Sequence, residues 1–209
     1  MKPISQQAGV KFNYLLDFPK LNLTYVEIPK CGSTGVKHAL LRAEHGRRPS
    51  GVGIPVIREE FPDSVVTSIP QGRMVIALVR NPFERLESAY RSRWLMRHPD
   101  DTFSQMVAQM GDILEMSPDD IWNNHFRPCS HFLPRGDDGS LACTVFRLED
   151  QVDDVARVIS EKSGKKIDLP VVHKSDPDKG YVSWSEDNVK EVKKYFAEDF
   201  EIGSYSLER

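Results

Sequence analysis

The chain has 209 residues, of which 39% are hydrophobic and 28% charged, the size and mix of one soluble globular domain, 1–209, and not of a multidomain assembly. A chain this long buries about 70% of the surface its unfolded form exposes, so folding requires neither disulfides nor a structural metal. Lys+Arg 28 against Asp+Glu 31 give a net charge of −3. The basic residues are dispersed, so general nucleic-acid or anionic-membrane binding has no compositional support and only a local anion site stays open.

The three cysteines, Cys31, Cys129 and Cys143, contain no CxxC pair, which argues against a disulfide framework or a four-cysteine zinc site and fits a reducing compartment. Residues 1–18 hold no apolar stretch of signal-peptide length, and no window approaches the roughly 18 apolar residues of a membrane span. The expectation is a cytoplasmic protein.

In chain order, residues 23–28 (LTYVEI) are rich in β-branched and aromatic types and predict a strand, followed by a Gly/Ser/Thr loop and a helix over 36–44. Residues 46–72 carry several Gly and Pro and no sustained period, which is long for a connection and marks a functional or poorly ordered segment. Residues 74–79 (MVIALV) form a near-continuous apolar run, as in a strand buried on both faces. Asn81 and Pro82 read as an N-cap and first helical position, the helix running towards Arg97. Short helices are predicted over 101–110 and 118–124, a third strand over 143–148 (CTVFRL), and a helix over 151–163 with Val152, Val155, Val158 and Ile159 on one face. Ser185 opens a last helix to about Phe196, with Glu186 and Asp187 in its first turn. Strands alternating with helices predict an α/β fold with a central, mainly parallel sheet flanked by helices.

Two segments carry chemistry. Pro29-Lys30-Cys31-Gly32-Ser33-Thr34-Gly35 follows a strand and opens a helix. The unpaired N–H groups of a helix N-terminus favour a phosphate. Lys30 adds a charge, Ser33 and Thr34 add hydroxyls, and Gly32 admits close backbone approach. The Walker pattern differs, because it ends its loop with the lysine. An ordinary strand-to-helix turn with a surface lysine would have the same residues, and both readings stay open on the loop alone. The second segment, from Val79 to Tyr90, places Arg80 at the end of a buried strand, where open α/β sheets collect ligands. Phe83, Leu86, Tyr90 and Trp94 form the apolar stripe, and Ser88 lies about 200° from Leu86 and Tyr90, facing away. Arg80 and Ser88 suit one phosphate; an Arg80–Glu84 pair beside a solvated serine is the other reading. Two anion sites at two strand ends suit a nucleotide with phosphates at separate positions.

These segments resemble the sulfotransferase superfamily, and more closely its carbohydrate sulfotransferase branch. YVEIPKCGSTG is similar to that family's loop for a 5′-phosphosulfate, and LVRNPFERLESAYR to its strand-turn-helix for a 3′-phosphate. Further similar segments follow in order: His125-Phe-Arg-Pro-Cys-Ser-His-Phe-Leu, Phe146-Arg-Leu-Glu149, Leu169-Pro-Val-Val-His-Lys174-Ser175, and the tail from Tyr195 to Tyr205, so the likeness spans about Thr24 to Tyr205. The resemblance implies a P-loop-like fold and 3′-phosphoadenosine 5′-phosphosulfate (PAPS) as sulfuryl donor, with adenosine 3′,5′-bisphosphate as product. It also implies no metal and a hydroxyl acceptor, a saccharide. It places Lys30 beside the bridging oxygen, gives Cys31, Gly32, Ser33, Thr34 and Gly35 to the 5′-phosphate and Arg80 and Ser88 to the 3′-phosphate, and adds Lys174 and Ser175 to the cofactor contacts. The chain departs from the family in having Cys129 where Gln is frequent, and no motif before Met74 matches the segment that supplies the base in several relatives.

His125 is the first candidate for the general base, with Glu59, Glu60 and His45 as rivals and a structural, hydrogen-bonded histidine as the alternative. Arg127 either meets an anionic acceptor or pairs with Asp119 or Asp120. His125, Cys129 and His131 lack a fourth ligand for zinc. Trp122 and Trp184 are candidates for stacking on sugar rings, and Trp94 belongs to the core. Two other functions remain open: a P-loop-type nucleotide-dependent kinase and a non-catalytic nucleotide- or glycan-binding homologue.

Overall fold

The computed structural model describes residues 14–51, 53–117, 120–169 and 180–209. Five strands, β1 (Leu15–Phe18), β2 (Leu23–Val26), β3 (Val65–Val66), β4 (Met74–Val79) and β5 (Thr144–Arg147), form one sheet in the order β3-β1-β2-β4-β5. β2, β4 and β5 pair in parallel, with Val26 opposite Ala77 and Val79 opposite Arg147. β1 joins them antiparallel as the outgoing arm of a tight hairpin, and β3 caps the edge through Leu15–Val66 and Leu16–Val65.

Ile76, Ala77, Leu78 and Val79 of β4 are at most 1% exposed, as expected of a central strand covered on both faces. Each fully buried Leu, Ile, Val or Phe contributes about 1.5–3 kcal/mol relative to its exposed state. Helix α1 (Ser33–His45) lays Val36, Leu40 and Leu41 on the sheet. It stops at Gly46, whose φ of 77° lets its N–H return to the Arg42 carbonyl at 2.9 Å. Within 46–72 the structure has α2 (Ile54–Glu60), a 3-10 turn and β3; the segment that lacks a period builds the edge of the sheet.

Helix α3 (Pro82–Ala89) begins as its sequence demands, with Asn81 Oδ1 accepting the Phe83 N–H at 3.0 Å and Pro82 in the first turn. It continues to Arg97 through a π turn, Tyr90–Trp94, and a last turn α4 (Leu95–Arg97). Helices α5 (Phe103–Ala108) and α6 (Met110–Glu115) follow, then 3-10 turns at Asn123–His125 and Cys129–His131. α7 (Val152–Ser163) lies against the sheet through Val155 and Ile159. α8 (Glu186–Tyr195) is capped by Ser185, and α9 (Ala197–Gly203) continues after a break at Phe196. A second apolar cluster gathers Phe83, Leu86, Tyr90 and Trp94 with Phe103, Met106, Phe126, Val192, Phe196 and Phe200. Among the described residues no helix is long and apolar enough to cross a membrane.

Candidate anion-binding site at the carboxyl edge of the sheet

Because β2, β4 and β5 are parallel, their carboxyl ends open on one edge, and the two motif segments leave the sheet there side by side. The residues after β5 tie that edge together. Leu148 N–H donates to the Val79 carbonyl at 2.9 Å. Glu149 accepts the Asn81 N–H at 2.8 Å on one oxygen and the Tyr205 hydroxyl at 2.9 Å on the other. The Phe146–Glu149 and Tyr195–Tyr205 segments thus hold the β4–α3 turn in place.

The loop before α1 has two residues in the left-handed region, Lys30 at φ 71° and Gly32 at φ 68°. For lysine this costs about 1–2 kcal/mol, and the backbone is held by buried cations. Arg85, 1% exposed, donates through Nε to the Pro29 carbonyl at 3.0 Å and through Nη1 to the Arg127 carbonyl at 2.5 Å. Arg80 Nη1 reaches the Lys30 carbonyl at 3.5 Å. A Cβ on Gly32 would lie 2.6 Å from Leu148 Cδ1 and oblige that side chain to shift, and the φ of 68° disfavours any side chain there. The first-turn N–H groups of α1, including those of Thr34 and Gly35, have no acceptors within the helix and carry its positive end. Beneath them Glu27 Oε1 accepts from both Ser33 Oγ, at 3.3 Å, and Lys37 Nζ. Lys37 is only 3% exposed in its side chain and is neutralised there.

Lys30 extends towards α3, donating to Ser92 Oγ at 2.5 Å, and Ser92 donates in turn to the Ser88 carbonyl at 2.5 Å. Burial, reinforced by the Arg93, Arg80 and Arg85 guanidiniums, lowers the Lys30 ammonium to a pKa of about 8. Arg93 donates through Nε to His125 Nε2 at 3.0 Å, which makes that nitrogen the acceptor. The proton therefore sits on Nδ1, facing the Ile121 carbonyl at 2.9 Å. Burial and Arg93 hold His125 down to a pKa of about 4. Among the described residues, Lys30, Arg85 and Arg93 have no carboxylate at ion-pair distance. Arg80 contacts Glu84 at 3.3 Å across a half-open surface while its buried Nε has no partner. Among the described residues, then, these cations outnumber the carboxylates that pair with them at this edge, an arrangement suited to an anion.

The structure brings Lys30, Cys31, Gly32, Ser33, Thr34, Gly35 and Arg80 to this edge, with Ser88 buried behind Ser92. Lys174 and Ser175 lie outside the described residues. His125 adjoins the site through Arg93. His45 instead bonds Ser64 Oγ at 2.9 Å and packs on Phe61, Glu59 is exposed on α2, and Glu60 is taken by Arg47 and Ser50. Arg127 donates to the Leu114 and Met116 carbonyls at the end of α6. Among the described residues no His/Cys/Asp/Glu group has a metal-holding arrangement. Trp94 is core, as expected, Trp184 packs edge-on against Phe83 and Phe103, and Trp122 lies under Arg97 at 4.6 Å. Sequence reasoning missed Arg85, Ser92, Arg93 and the Glu27–Lys37 pair. A signal for two of them exists: Arg85, Ser88 and Ser92 follow at i, i+3 and i+7, one helical stripe beside the apolar one.

The family model described as "Sulfotransferase family" matches residues 13–206. No curated protein matches the chain. Among solved structures, a sulfotransferase from Alicyclobacillus acidocaldarius is similar at 16% identity and a TM-score of 0.33, over 71% of this chain and 56% of that one. The chain therefore spans little more than half the length of that structure.

Proposed function

Because the chain belongs to the sulfotransferase family, we propose that it transfers the sulfuryl group of PAPS to a hydroxyl on a carbohydrate acceptor by in-line displacement. The observation that carries this reading is the cluster of Lys30, Arg85 and Arg93, which among the described residues has no carboxylate at ion-pair distance, beside Arg80 and the start of α1. Two anionic ends of one nucleotide suit its two halves, the α1 N-terminus with Lys30, and Arg80 at the end of β4 with Ser88 on α3.

The acceptor oxygen attacks sulfur, the bond from sulfur to the bridging oxygen breaks, and adenosine 3′,5′-bisphosphate leaves with the electron pair. As in phosphoryl transfer, charge builds on the leaving oxygen and the catalyst's task is to stabilise it. Lys30 is the residue for that oxygen, and its contact with Ser92 gives the ammonium a resting place from which it turns to the leaving group. Ser33, Thr34 and the α1 amides hold the 5′-phosphate. Arg80 exchanges Glu84 for the 3′-phosphate. His125 is neutral at physiological pH, but its acceptor lone pair is occupied by Arg93; accepting the acceptor's proton at Nε2 requires Arg93 to move to an anion.

The test is thermal unfolding of the protein with adenosine 3′,5′-bisphosphate, AMP and ATP·Mg²⁺, followed by transfer of labelled sulfate from PAPS to saccharides. A ligand at one hundred times its Kd stabilises by about 2.7 kcal/mol. Stabilisation by the bisphosphate above the other two, and labelled saccharide lost on Lys30→Ala, are expected. Preferential stabilisation by ATP·Mg²⁺, or full transfer by Lys30→Ala, would overturn the reading.

A further inference from the structure

Cys31 lies between the two left-handed residues of the anion loop, and its sulfur is fully buried 3.7 Å from that of Cys129, also fully buried on the turn Cys129–His131. Both are free thiols. One side chain joins their two segments: Arg85 bonds the carbonyls of Pro29 and Arg127, each two residues before a cysteine. Among the described residues its buried Nη2 has no oxygen or nitrogen partner. The Cys129 side is anchored, since Asp199 accepts the N–H groups of Cys129 at 2.6 Å and Ser130 at 2.8 Å.

The two thiols are chemically unequal. Burial would raise Cys31, but the hydrogen bond from Cys129 and the Arg85 and Arg80 guanidiniums outweigh it and bring the thiol below its ordinary value. Burial and the Cys31 neighbour push Cys129 well up. Cys31 lies in the loop held by Arg85 and Arg80 and Cys129 on the turn anchored by Asp199, so Cys31 is the member favoured to ionise and attack once an opening of the loop admits the peroxide to this buried pair. Cys143, raised by burial to about 11, belongs to neither segment.

We propose that Cys31 and Cys129 form an oxidisable dithiol whose conversion to cystine by a small peroxide reshapes the anion loop, reversibly with a dithiol reductant. The Cys31 thiolate attacks one peroxide oxygen, the O–O bond breaks and hydroxide leaves, giving a sulfenic acid. The Cys129 thiol then displaces the hydroxyl as water and the S–S bond forms, with two electrons passed from the sulfurs to the peroxide. The sulfurs close from 3.7 Å to the about 2 Å of a disulfide. Asp199 holds the Cys129 backbone through two hydrogen bonds, whereas the Cys31 loop is held at Pro29 by Arg85 and at Lys30 by the long 3.5 Å contact of Arg80, so closing the sulfurs strains Lys30, Cys31 and Gly32 most. The effect on nucleotide binding rests on the proposed function; the formation of the cystine does not.

The experiment uses the full chain carrying Cys143→Ser, treated with hydrogen peroxide, alkylated and mapped without reduction by mass spectrometry. Hydrogen exchange over residues 29–35 and calorimetric binding of adenosine 3′,5′-bisphosphate are measured in parallel. Expected are a Cys31–Cys129 cross-linked peptide, altered exchange in the loop, and affinity weakened about tenfold or more and restored by dithiothreitol. Cys129→Ala, or Cys129→Val if alanine loosens the core, is expected to bind like the reduced parent and to give no cross-link. Two separately alkylated cysteines after peroxide, a cross-linked protein with unchanged loop exchange, or the same reversible loss in Cys129→Ala would each overturn the proposal. If the reduced protein does not bind the bisphosphate, the functional reading fails alone, and the peptide map and exchange still decide this one.

Discussion

Between about pH 8 and about pH 10 the affinity for adenosine 3′,5′-bisphosphate is expected to fall as the Lys30 ammonium is lost. In the free protein, burial and three neighbouring guanidiniums hold that ammonium at a pKa of about 8. A 5′-phosphate, fully ionised above its second pKa of about 6, supplies the negative charge the cluster lacks and raises Lys30 towards the ordinary lysine value of about 10.4. The sign follows: the bound state holds the proton more tightly, so within the window between the two values binding takes up a proton and weakens as pH rises. The limiting slope is about tenfold per pH unit, or about 1.4 kcal/mol. Below the window Lys30 is protonated in both states and contributes no slope. Cys31 also titrates low and acts in the same direction, so the diagnostic comparison is with Lys30→Met. Calorimetry in buffers of different ionisation heat counts protons directly and is expected to give uptake approaching one near pH 9 in the parent and much less in the variant. A parent affinity flat across this range, or a slope unchanged in Lys30→Met, would refute the reasoning.

Arg80→Ala is expected to weaken the bisphosphate by about 1.5–3 kcal/mol and AMP little, whereas Glu84→Gln, which frees Arg80, tightens the bisphosphate by about twofold; equal losses for both ligands in Arg80→Ala would exclude a 3′-phosphate role. Gly32→Ala puts a methyl against Leu148 and a non-glycine at φ 68°; melting is expected to drop by several degrees, with Leu148→Ala relieving only the steric part, and an unchanged Tm would contradict the packing. Glu27→Gln removes the carboxylate that accepts from both Lys37 and Ser33, a loss of about 1–3 kcal/mol and a few degrees in Tm, checked by calorimetric unfolding and refuted by a parent-like melt.

What the sequence made legible is what local pattern controls. The MVIALV run, the Asn81-Pro82 start and the loop between β2 and α1 all appear where their residues predict, because each depends on neighbours within one turn or one strand. The hairpin strand β1 escaped, since LLDF is buried throughout and has no alternation to announce it. The two-residue β3 exists only through its register with β1. The last predicted helix ends at about Phe196, where α8 stops; what escaped is α9, which resumes at once over Ala197–Gly203. In the site, Lys30 and Arg80 were readable from their positions at strand ends. For Arg85 the only signal was its stripe with Ser88 and Ser92; its burial runs against the usual preference for charge outside, and its partners Pro29 and Arg127 lie 56 and 42 residues away. The Arg93–His125 contact is similarly long-range.

The π turn at Tyr90–Trp94 acts as a crankshaft in the α3 rod. Within this wider winding Ser92 and Arg93 meet the loop and His125 while Trp94, at its end, seats in the apolar cluster. Removing one residue there would rotate the downstream half by about 100°, setting the tryptophan's seat against the cationic contacts. The contacts that Ser92 and Arg93 make at the sheet edge thus depend on a miscount in a helix, and a graft that straightens it is expected to part Lys30 from Ser92 and His125 from Arg93 even with every side chain retained.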